Sequence, residues 1–268
     1  MQQPHLLALL SEIEAAAREA GAVALGHFRK GEKTAAQIHY KHGGSPVTEA
    51  DHAANAILLQ RLHMSHPETG WLSEETEDTD ERLTREAVFI VDPIDGTRAF
   101  IAGEANWTVC VALVVAGVPV AGVVFAPALD LVLSAAQGCG AHANGRMLTA
   151  IAEPTGAFRV TGPKPMIDWL APRIGPLIRL PRVASLAFRL AGVAIGEADL
   201  ALASDNAHDW DIAASDIILR EAGCALTGLH GEKPVYNRLD PVHPALIAGS
   251  DAVCQRVVAA AAGLRRLP

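Results

Sequence analysis

The amino-acid sequence predicts a fold of the α+β or α/β class, built in two halves around mixed sheets. Near the N-terminus, apolar residues recur every three or four positions, which is typical of a helix with one buried face. The valine-rich stretch at residues 109–129 is interrupted by glycine and proline, so it favours buried strands joined by a turn. In the second half, short apolar runs alternate with helical patterns, as they do in α/β proteins.

The first half is predicted to contain two helices followed by strands. Leu6, Leu10 and Ile13 mark the buried face of the first helix, and Thr48 begins a second helix that Pro67 ends. In chain order, the predicted elements are a helix at residues 6–29, a loop at 39–46, a helix from 48 to 67, a strand at 71–72 leading into Glu74 and Glu75, a charged, solvated loop or helix at 77–85, a strand at 88–91, further strands to residue 133, and a glycine-rich turn region at 138–145.

A change in composition near residues 149–154 predicts a soft boundary between two domains. Residues 1–150 would form an N-terminal α+β domain, and residues 151–268 a C-terminal α/β domain. The predicted elements of the second domain are a strand near residue 159, a helix from 185, a strand at 199–203, a helix from about 210, a strand at 246–248 and a closing helix at 252–262.

Composition and charge argue against several classes of protein. Lys and Arg total 22 and Asp and Glu total 30, so the net charge of −8 does not suit a partner that is a nucleic acid polymer. The four cysteines have neither a CxxC pair nor zinc spacing, which indicates reduced thiols in a cytoplasmic protein. The N-terminal apolar run is too short for a signal peptide, and glycine and proline interrupt the most apolar stretch, so we expect no membrane segment.

Two aspartates follow the strand at residues 88–91 in the sequence Asp92-Pro-Ile-Asp95-Gly-Thr97. Asp-Pro and Asp-Gly pairs are common in ordinary turns, and each pair alone is best explained that way. Alternatively, Pro93 stiffens the turn so that both carboxylates converge, and Gly96 lets the backbone approach an anionic ligand.

Three other acidic positions have equally ordinary explanations. Glu74 and Glu75 could be solvated acids, Asp211 could stabilise a helix N-terminus, and Asp51 could complete a capping box with Thr48. Taken together, however, carboxylates at several strand and helix ends favour Mg²⁺ over zinc or copper. Two or three such ions could activate water for phosphoryl transfer. The motifs GxxxxGK[ST], GxSxG and HExxH of other catalytic sites are missing from the sequence.

Four segments together resemble the inositol monophosphatase family of lithium-sensitive, Mg²⁺-dependent phosphatases. They are Ser45-Pro-Val-Thr-Glu-Ala-Asp51, Leu72-Ser-Glu-Glu75, Asp92-Pro-Ile-Asp-Gly-Thr97 and Trp210-Asp-Ile-Ala-Ala214, and they occur in the family's order. The resemblance covers nearly the whole chain. It implies a layered αβαβα sandwich of the inositol monophosphatase and fructose-1,6-bisphosphatase type.

The resemblance also implies roles for individual residues. Metal ligands would be the carboxylates of Glu74, Asp92, Asp95 and Asp211 and the backbone carbonyl of Ile94. Glu74, Asp92 and Ile94 would hold a first ion, Asp92, Asp95 and Asp211 a second, and Glu74 a third. Catalytic roles would fall to Glu74 and to the pair Asp51 and Thr97, which would orient and deprotonate water. The N–H groups of Gly96 and Thr97 would hold the phosphate, and Asp95 and Asp211 would also face the substrate. Glu75 would lie next to the metal ligands without binding the ions itself.

The substrate is less clearly indicated than the chemistry. Where inositol phosphatases have a glutamate that binds a ring hydroxyl, this chain has Ser204. Several segments resemble the bacterial 3′(2′),5′-bisphosphate nucleotidases of the CysQ type, which act on 3′-phosphoadenosine 5′-phosphate. The Lys-x-Asp segment of those enzymes is Lys41-His42-Gly43 here, without the aspartate. Histidinol-phosphate phosphatases share the Asp-Gly-Thr-Arg-Ala-Phe segment, so inositol and histidinol phosphates remain alternatives.

A bisphosphate nucleotide would need a second anion site and a platform for its base. Lys164 is a candidate for the 5′-phosphate and Tyr236 for the base, although a solvated lysine and a packing tyrosine are ordinary explanations. Arg98 could support phosphate or pair with a surface acid. Family members include monomers and dimers, so a homodimer is possible. A non-catalytic binding protein on the same scaffold is the alternative from another functional class.

Overall fold

A computed structural model describes residues 3–41, 43–149 and 154–263 of the chain. The helices are α1 (Gln3–His27), α2 (Glu49–Leu58), α3 (Thr97–Ala102), α4 (Lys164–Ile174), α5 (Leu186–Ala194), α6 (Asp209–Glu221) and α7 (Asp251–Ala260). The strands are β1 (Ile38–Tyr40), β2 (Pro46–Thr48), β3 (Gly70–Ser73), β4 (Ala87–Asp95), β5 (Thr108–Val115), β6 (Val118–Ala126), β7 (Leu131–Ala136), β8 (Ala141–Ala143), β9 (Arg146–Met147), β10 (Phe158–Thr161), β11 (Leu177–Arg179), β12 (Leu200–Ala203), β13 (Ala207–His208), β14 (Ala225–Gly228), β15 (Val242–His243) and β16 (Leu246–Gly249).

Two large sheets organise these elements. The first has seven strands in the order β3-β4-β5-β6-β7-β8-β9, in which β3 and β4 are parallel and the other neighbours are antiparallel. The second has five strands in the order β11-β10-β12-β16-β14, parallel from β11 to β12 and antiparallel beyond. Two small antiparallel pairs, β1 with β2 and β13 with β15, lie outside them.

Side chains alternate between the two faces of each strand, and helices pack on both faces of each large sheet. The result is a structure of five layers. Phe89 and Val91 of β4 pack against α1 and α2, whereas Val88 and Ile90 of the same strand pack against α5 and α6. The opposite side of α5 and α6 packs on β12 and β16, and the other face of that sheet is covered by α4 and α7. The layer order is therefore α1/α2, sheet, α5/α6, sheet, α4/α7, which confirms the predicted αβαβα sandwich.

Long-range contacts account for where the structure departs from the predicted elements. The predicted loop at residues 39–46 contains parts of the β1–β2 hairpin, and β4 continues through the aspartate motif to Asp95. The charged segment at 77–85 is not wholly solvated, because Arg82 is buried and pairs with Asp78 and with Asn237, which is distant in sequence. The sequence analysis also did not predict α3, α4, β8, β9, β11, β13, β14 and β15.

Other expectations concern the chain as a whole. The proposed domain boundary, between residues 150 and 151, lies within residues 150–153, which are outside the described residues, so the division into two domains stays a prediction. None of the four cysteines is in a disulfide. No helix among the described residues is long and apolar enough to cross a membrane.

The close packing of α6 on the first sheet depends on Gly122 of β6. A Cβ atom at this position would lie 2.6 Å from Ile217 Cγ2 and 3.0 Å from Ala214 Cα of α6. We expect Gly122→Ala to destabilise the protein by about 1–3 kcal/mol, the usual effect of overpacking a core. Chemical denaturation measures this change. Gly26→Ala in α1 is the control, because a Cβ there meets nothing within 4 Å; it should stabilise the helix by about 0.5–1 kcal/mol. An unaltered midpoint for Gly122→Ala would contradict the close packing.

Candidate active site

A bulge in β4 brings Asp92 and Asp95 to the same side of the strand. Residues three apart in a regular strand point to opposite faces. Here Asp92 pairs with Cys110 and Asp95 with Thr108, so three steps along β4 match two along β5. The extra residue restores a common direction for the two carboxylates. Both are buried, at 1% and 7% exposure, and Asp92 Oδ1 accepts a hydrogen bond from the Ile94 N–H at 3.0 Å.

The N-terminus of α6 adds a third carboxylate to this pair. One oxygen from each of Asp92, Asp95 and Asp211 lies within 4.8 Å of the others, a spacing at which they could hold a metal ion. Asp211 Oδ2 accepts from the His208 N–H at 2.6 Å in a capping interaction. The helix-capping explanation of Asp211 and its predicted place among the metal ligands are therefore compatible.

Asp95 is held from its other side by the start of α5. Its Oδ2 accepts from Ser185 Oγ at 2.6 Å and from the Ala187 N–H at 2.7 Å. Burial and the neighbouring charge of Asp211 raise the pKa of Asp95 to about 7, although these two hydrogen bonds oppose the shift. Sequence analysis placed Ser185 at the start of a helix. It did not predict the contact with Asp95, because the two residues are 90 positions apart.

Glu74 lies beside Asp92 because β3 runs parallel to β4. Ser73 pairs with Val91, so the next residue in each strand is an acid at the same sheet edge. Lys41 Nζ lies 2.9 Å from Glu74 Oε1 and 2.7 Å from Glu75 Oε1. Burial lowers the pKa of Lys41, but the two carboxylates outweigh burial and raise it overall. No local pattern indicates this contact, because the partners are more than 30 residues apart.

Buried Asp51 and half-buried Thr97 form a pair next to the carboxylate cluster. Thr97 Oγ1 lies 3.2 Å from Asp51 Oδ1 and 3.1 Å from the carbonyl oxygen of Ile94. Asp51 Oδ2 accepts from the N–H and the hydroxyl of Thr48, at 2.8 and 2.6 Å. The predicted capping box is thus present, and one oxygen of Asp51 remains for Thr97. Burial raises the pKa of Asp51 to about 6, which suits a group that accepts a proton near neutral pH.

A cleft of about 190 Å³ opens over these groups. Seven of the predicted site residues line it, namely Glu74, Asp92, Ile94, Asp95, Gly96, Thr97 and Asp211. Gly96 adopts a positive φ of 93°, which glycine tolerates best, and a Cβ there would lie 3.1 Å from the Ser185 nitrogen. Two exposed cations, Arg98 and Arg182, also line the cleft.

Two residues predicted to contact the substrate lie elsewhere. The Lys164 side chain is 73% exposed at the start of α4 and pairs with Asp168 at 2.5 Å, and it does not line the cleft. Tyr236 is fully buried, and its hydroxyl donates to Asp216 Oδ2 at 3.0 Å. These positions agree with the packing explanation of Tyr236 and the solvated explanation of Lys164, and the substrate roles of both residues stay predictions.

The negative charge of the carboxylate cluster favours the binding of cations. Burial, followed by repulsion from Glu74, Asp95, Asp211 and Asp51, raises the pKa of Asp92 well above its usual value. Concentrated buried negative charge of this kind is costly unless it is neutralised by protons or by metal ions. The donors are carboxylates with a nearby backbone carbonyl and include no cysteine or histidine, a set that fits Mg²⁺.

We therefore expect the stability of the metal-free protein to fall as the pH rises from about 5 to 7. Asp95 has a pKa of about 7 when folded, against about 3.9 when unfolded. The folded state thus binds more protons in this window, and stability decreases with rising pH. Added Mg²⁺ should stabilise most at the upper end, where the carboxylates are ionised. Thermal unfolding in chelator across this range measures the slope. Asp95→Asn should flatten it, and an unchanged slope would contradict the assignment.

Comparison with known proteins agrees with this geometry. The model of the inositol monophosphatase family matches residues 7–263. Inositol monophosphatase 2 of Solanum lycopersicum is 32% identical over 78% of this chain and 82% of its own length. Histidinol-phosphatase of Mycobacterium tuberculosis is 34% identical over 73% of this chain and 78% of its own. The 3′(2′),5′-bisphosphate nucleotidase CysQ of Aggregatibacter actinomycetemcomitans is 29% identical over 90% and 92%.

Solved structures show the same fold. The extragenic suppressor protein SuhB of Bartonella henselae superposes with a TM-score of 0.80, covering 96% of this chain and 99% of its own, at 26% identity. The inositol monophosphatase of Thermotoga maritima superposes with a TM-score of 0.76, covering 92% and 93%, at 27% identity.

Proposed function

The chain belongs to the inositol monophosphatase family of phosphatases, and from this premise we propose that it is a Mg²⁺-dependent enzyme that removes the 3′-phosphate of 3′-phosphoadenosine 5′-phosphate. The observation that carries the proposal is the convergence of Asp92, Asp95 and Asp211 beside the pair Asp51 and Thr97. The first group can neutralise phosphate charge through bound cations, and the second can activate water.

The chain's own residues define most of the mechanism. Glu74, Asp92, Asp95 and Asp211, with the carbonyl of Ile94, would hold two or three Mg²⁺ ions. Bound Mg²⁺ supplies Lewis-acid stabilisation of phosphate charge and lowers the pKa of water. Asp51 accepts the proton of the attacking water through Thr97, whose hydroxyl touches Asp51 Oδ1. The backbone N–H groups at Gly96 and Thr97, at the turn after β4, bind the phosphate oxygens.

The cationic rim supports a nucleotide over the two alternatives. Arg98 and Arg182 favour an anionic leaving group, whereas the leaving group of histidinol phosphate is itself a cation. Inositol 1-phosphate has an uncharged leaving group, and Ser204 replaces the acid that would bind its ring hydroxyl. Identity does not decide among them, because the inositol, histidinol and nucleotide enzymes quoted above are all 29–34% identical to this chain.

The decisive experiment measures phosphate release in Mg²⁺ from 3′-phosphoadenosine 5′-phosphate, inositol 1-phosphate and histidinol phosphate at equal concentration. A higher kcat/KM for the nucleotide would support the proposal. Preference for either other substrate would overturn the substrate assignment while the metal chemistry stands. Mg²⁺ binding without hydrolysis of any phosphate ester would instead favour the non-catalytic binding protein.

A further inference from the structure

A buried acid–base pair lies at the first residue of α6, two positions before the predicted metal ligand Asp211. Asp209 is fully buried, and its Oδ1 lies 2.6 Å from Nε2 of His243, which is 3% exposed. Asp209 Oδ2 accepts from the Asn237 N–H at 2.7 Å. Both oxygens of this carboxylate therefore have partners inside the protein, as a buried acid requires. Neither Asp209 nor His243 lines the cleft or takes part in the chemistry proposed above.

The side-chain partners of Asp209 both belong to one segment, residues 236–243, which we call the strap. The Asp209 N–H donates to the Pro241 carbonyl at 2.9 Å, so the backbone of Asp209 is bound to the strap as well. Tyr236 begins the strap, and its hydroxyl donates to Asp216 Oδ2 further along α6. The strap ends in β15, which pairs with β13 immediately before α6. The start of α6 is thus fixed to the strap at several points.

A buried arginine connects the strap to the first half of the chain. Arg82 Nη1 donates to Asn237 Oδ1 at 2.7 Å and to the Arg238 carbonyl at 3.0 Å. Asn237 Nδ2 donates in return to the Arg82 carbonyl at 3.3 Å. Arg82 lies in the charged segment that follows the predicted ligand Glu74. The strap therefore contacts both the helix that carries Asp211 and the segment that follows Glu74.

The position of α6 decides whether the carboxylates of the cluster meet. Asp92 and Asp95 belong to β4, whereas Asp211 comes from the first turn of α6. Oxygens of the three converge within 4.8 Å because α6 begins where it does. Satisfied hydrogen bonds to a buried carboxylate are directional, so they specify a position in the fold. Mutation of groups that hold metal ligands in place typically weakens metal binding by about 10–100-fold.

We propose that Asp209 and His243 are positioning residues of the metal site. Through the strap, they fix the first turn of α6, so that Asp211 meets Asp92 and Asp95 at a spacing that a divalent cation can bridge. The inference rests on the proposed metal-dependent function and extends it to residues outside the cleft. Their role is to hold α6, and they bind neither the cation nor the substrate.

The test compares two substitutions of His243 by their effect on Mg²⁺ affinity. His243→Leu removes the ring nitrogen beside Asp209 and should raise the Kd for Mg²⁺ by about tenfold or more. The side-chain amide of glutamine can still donate to Asp209, so His243→Gln should stay within about threefold of the wild type. Chemical denaturation at several Mg²⁺ concentrations measures Kd, because the gain in stability depends on the ratio of free Mg²⁺ to Kd and not on the stability without metal.

Arg159→Leu is the control that separates positioning from a general loss of stability. It breaks the ion pair of Arg159 in β10 with Asp199 at 2.6 Å, outside the cleft. This variant should unfold at a lower denaturant concentration and keep the wild-type Kd for Mg²⁺. If His243→Leu is too unstable to purify, His243→Asn answers the same question, because its shorter side chain moves the donor away from Asp209.

Activity provides a second measurement. In assays of phosphate release, His243→Leu should need about tenfold more Mg²⁺ than the wild type to reach its half-maximal rate. At saturating Mg²⁺ its kcat should approach that of the wild type, because neither Asp209 nor His243 lines the cleft.

The outcomes distinguish this inference from the proposed function. An unchanged Kd in His243→Leu would overturn the inference while an active enzyme stands, as would an equal rise in Kd from Arg159→Leu or from His243→Gln. If the wild-type protein is stabilised by Mg²⁺ but hydrolyses no phosphate ester, the phosphatase proposal fails, and the Kd values alone decide the role of His243. If Mg²⁺ does not stabilise the wild type, there is no metal site to position and the inference is refuted.

Discussion

Replacing Asp92 with asparagine is expected to lower kcat/KM by on the order of 10³-fold or more. Asp92 is predicted to ligate two of the ions, and stabilisation of phosphate charge by bound cations is worth several kcal/mol, at about 1.4 kcal/mol per tenfold in rate. Asparagine is nearly isosteric, and its Oδ1 can still accept from the Ile94 N–H. The loss should therefore reflect charge and not misfolding. Phosphate release across a Mg²⁺ titration measures it.

Although Asp92→Asn should lose activity, we expect it to be more stable than the wild type when no metal is bound. Burial and neighbouring carboxylates make the ionised form of Asp92 unfavourable in the metal-free protein. Asp92→Asn should therefore unfold at a higher temperature than the wild type in chelator, and gain less on adding Mg²⁺. Asp130→Asn, in an exposed turn with a φ of 50° that asparagine tolerates, is the matched control and should change neither property. An active Asp92→Asn enzyme would refute the assignment of this site.

The acidic cluster is the part of the site for which sequence reasoning worked best. Asp92 and Asp95 lie only three positions apart, so one local device, the bulge in β4, is enough to align them. The metal and catalytic roles of these residues stay predictions. Asp51 shows why single motifs were ambiguous. Its carboxylate has two oxygens, and it caps α2 with one while it contacts Thr97 with the other.

The surroundings of the cluster could not be predicted, because they depend on pairs that are distant in sequence. Ser185 reaches Asp95 across 90 residues, and Lys41 contacts Glu74 across 33. No local pattern records such contacts. The position of Lys164 has a local cause instead. Its place in a helix puts Asp168 one turn away, and this local i,i+4 pair takes up the charge expected to face the substrate.

Replacing Asp51 with asparagine is expected to lower kcat by about 10²–10⁴-fold, the usual contribution of a general base. The side-chain oxygen of the introduced asparagine could still accept from Thr48, so the start of α2 should persist. Steady-state phosphate release measures the loss. Mg²⁺ should stabilise Asp51→Asn against heat as it does the wild type, whereas Asp92→Asn should gain less from Mg²⁺.

The pH dependence of kcat separates a proton acceptor at Asp51 from a merely structural role. Because Asp51 must be ionised to accept a proton and its pKa is about 6 without metal, wild-type kcat should rise with pH up to about that value. Bound cations favour the ionised carboxylate, so this rise in kcat should shift to lower pH. The rise should be absent from the residual activity of Asp51→Asn. Thr97→Ser keeps the hydroxyl that contacts Asp51 and should retain most activity, whereas Thr97→Val should not. An unchanged pH profile in Asp51→Asn would assign the proton acceptor to another group.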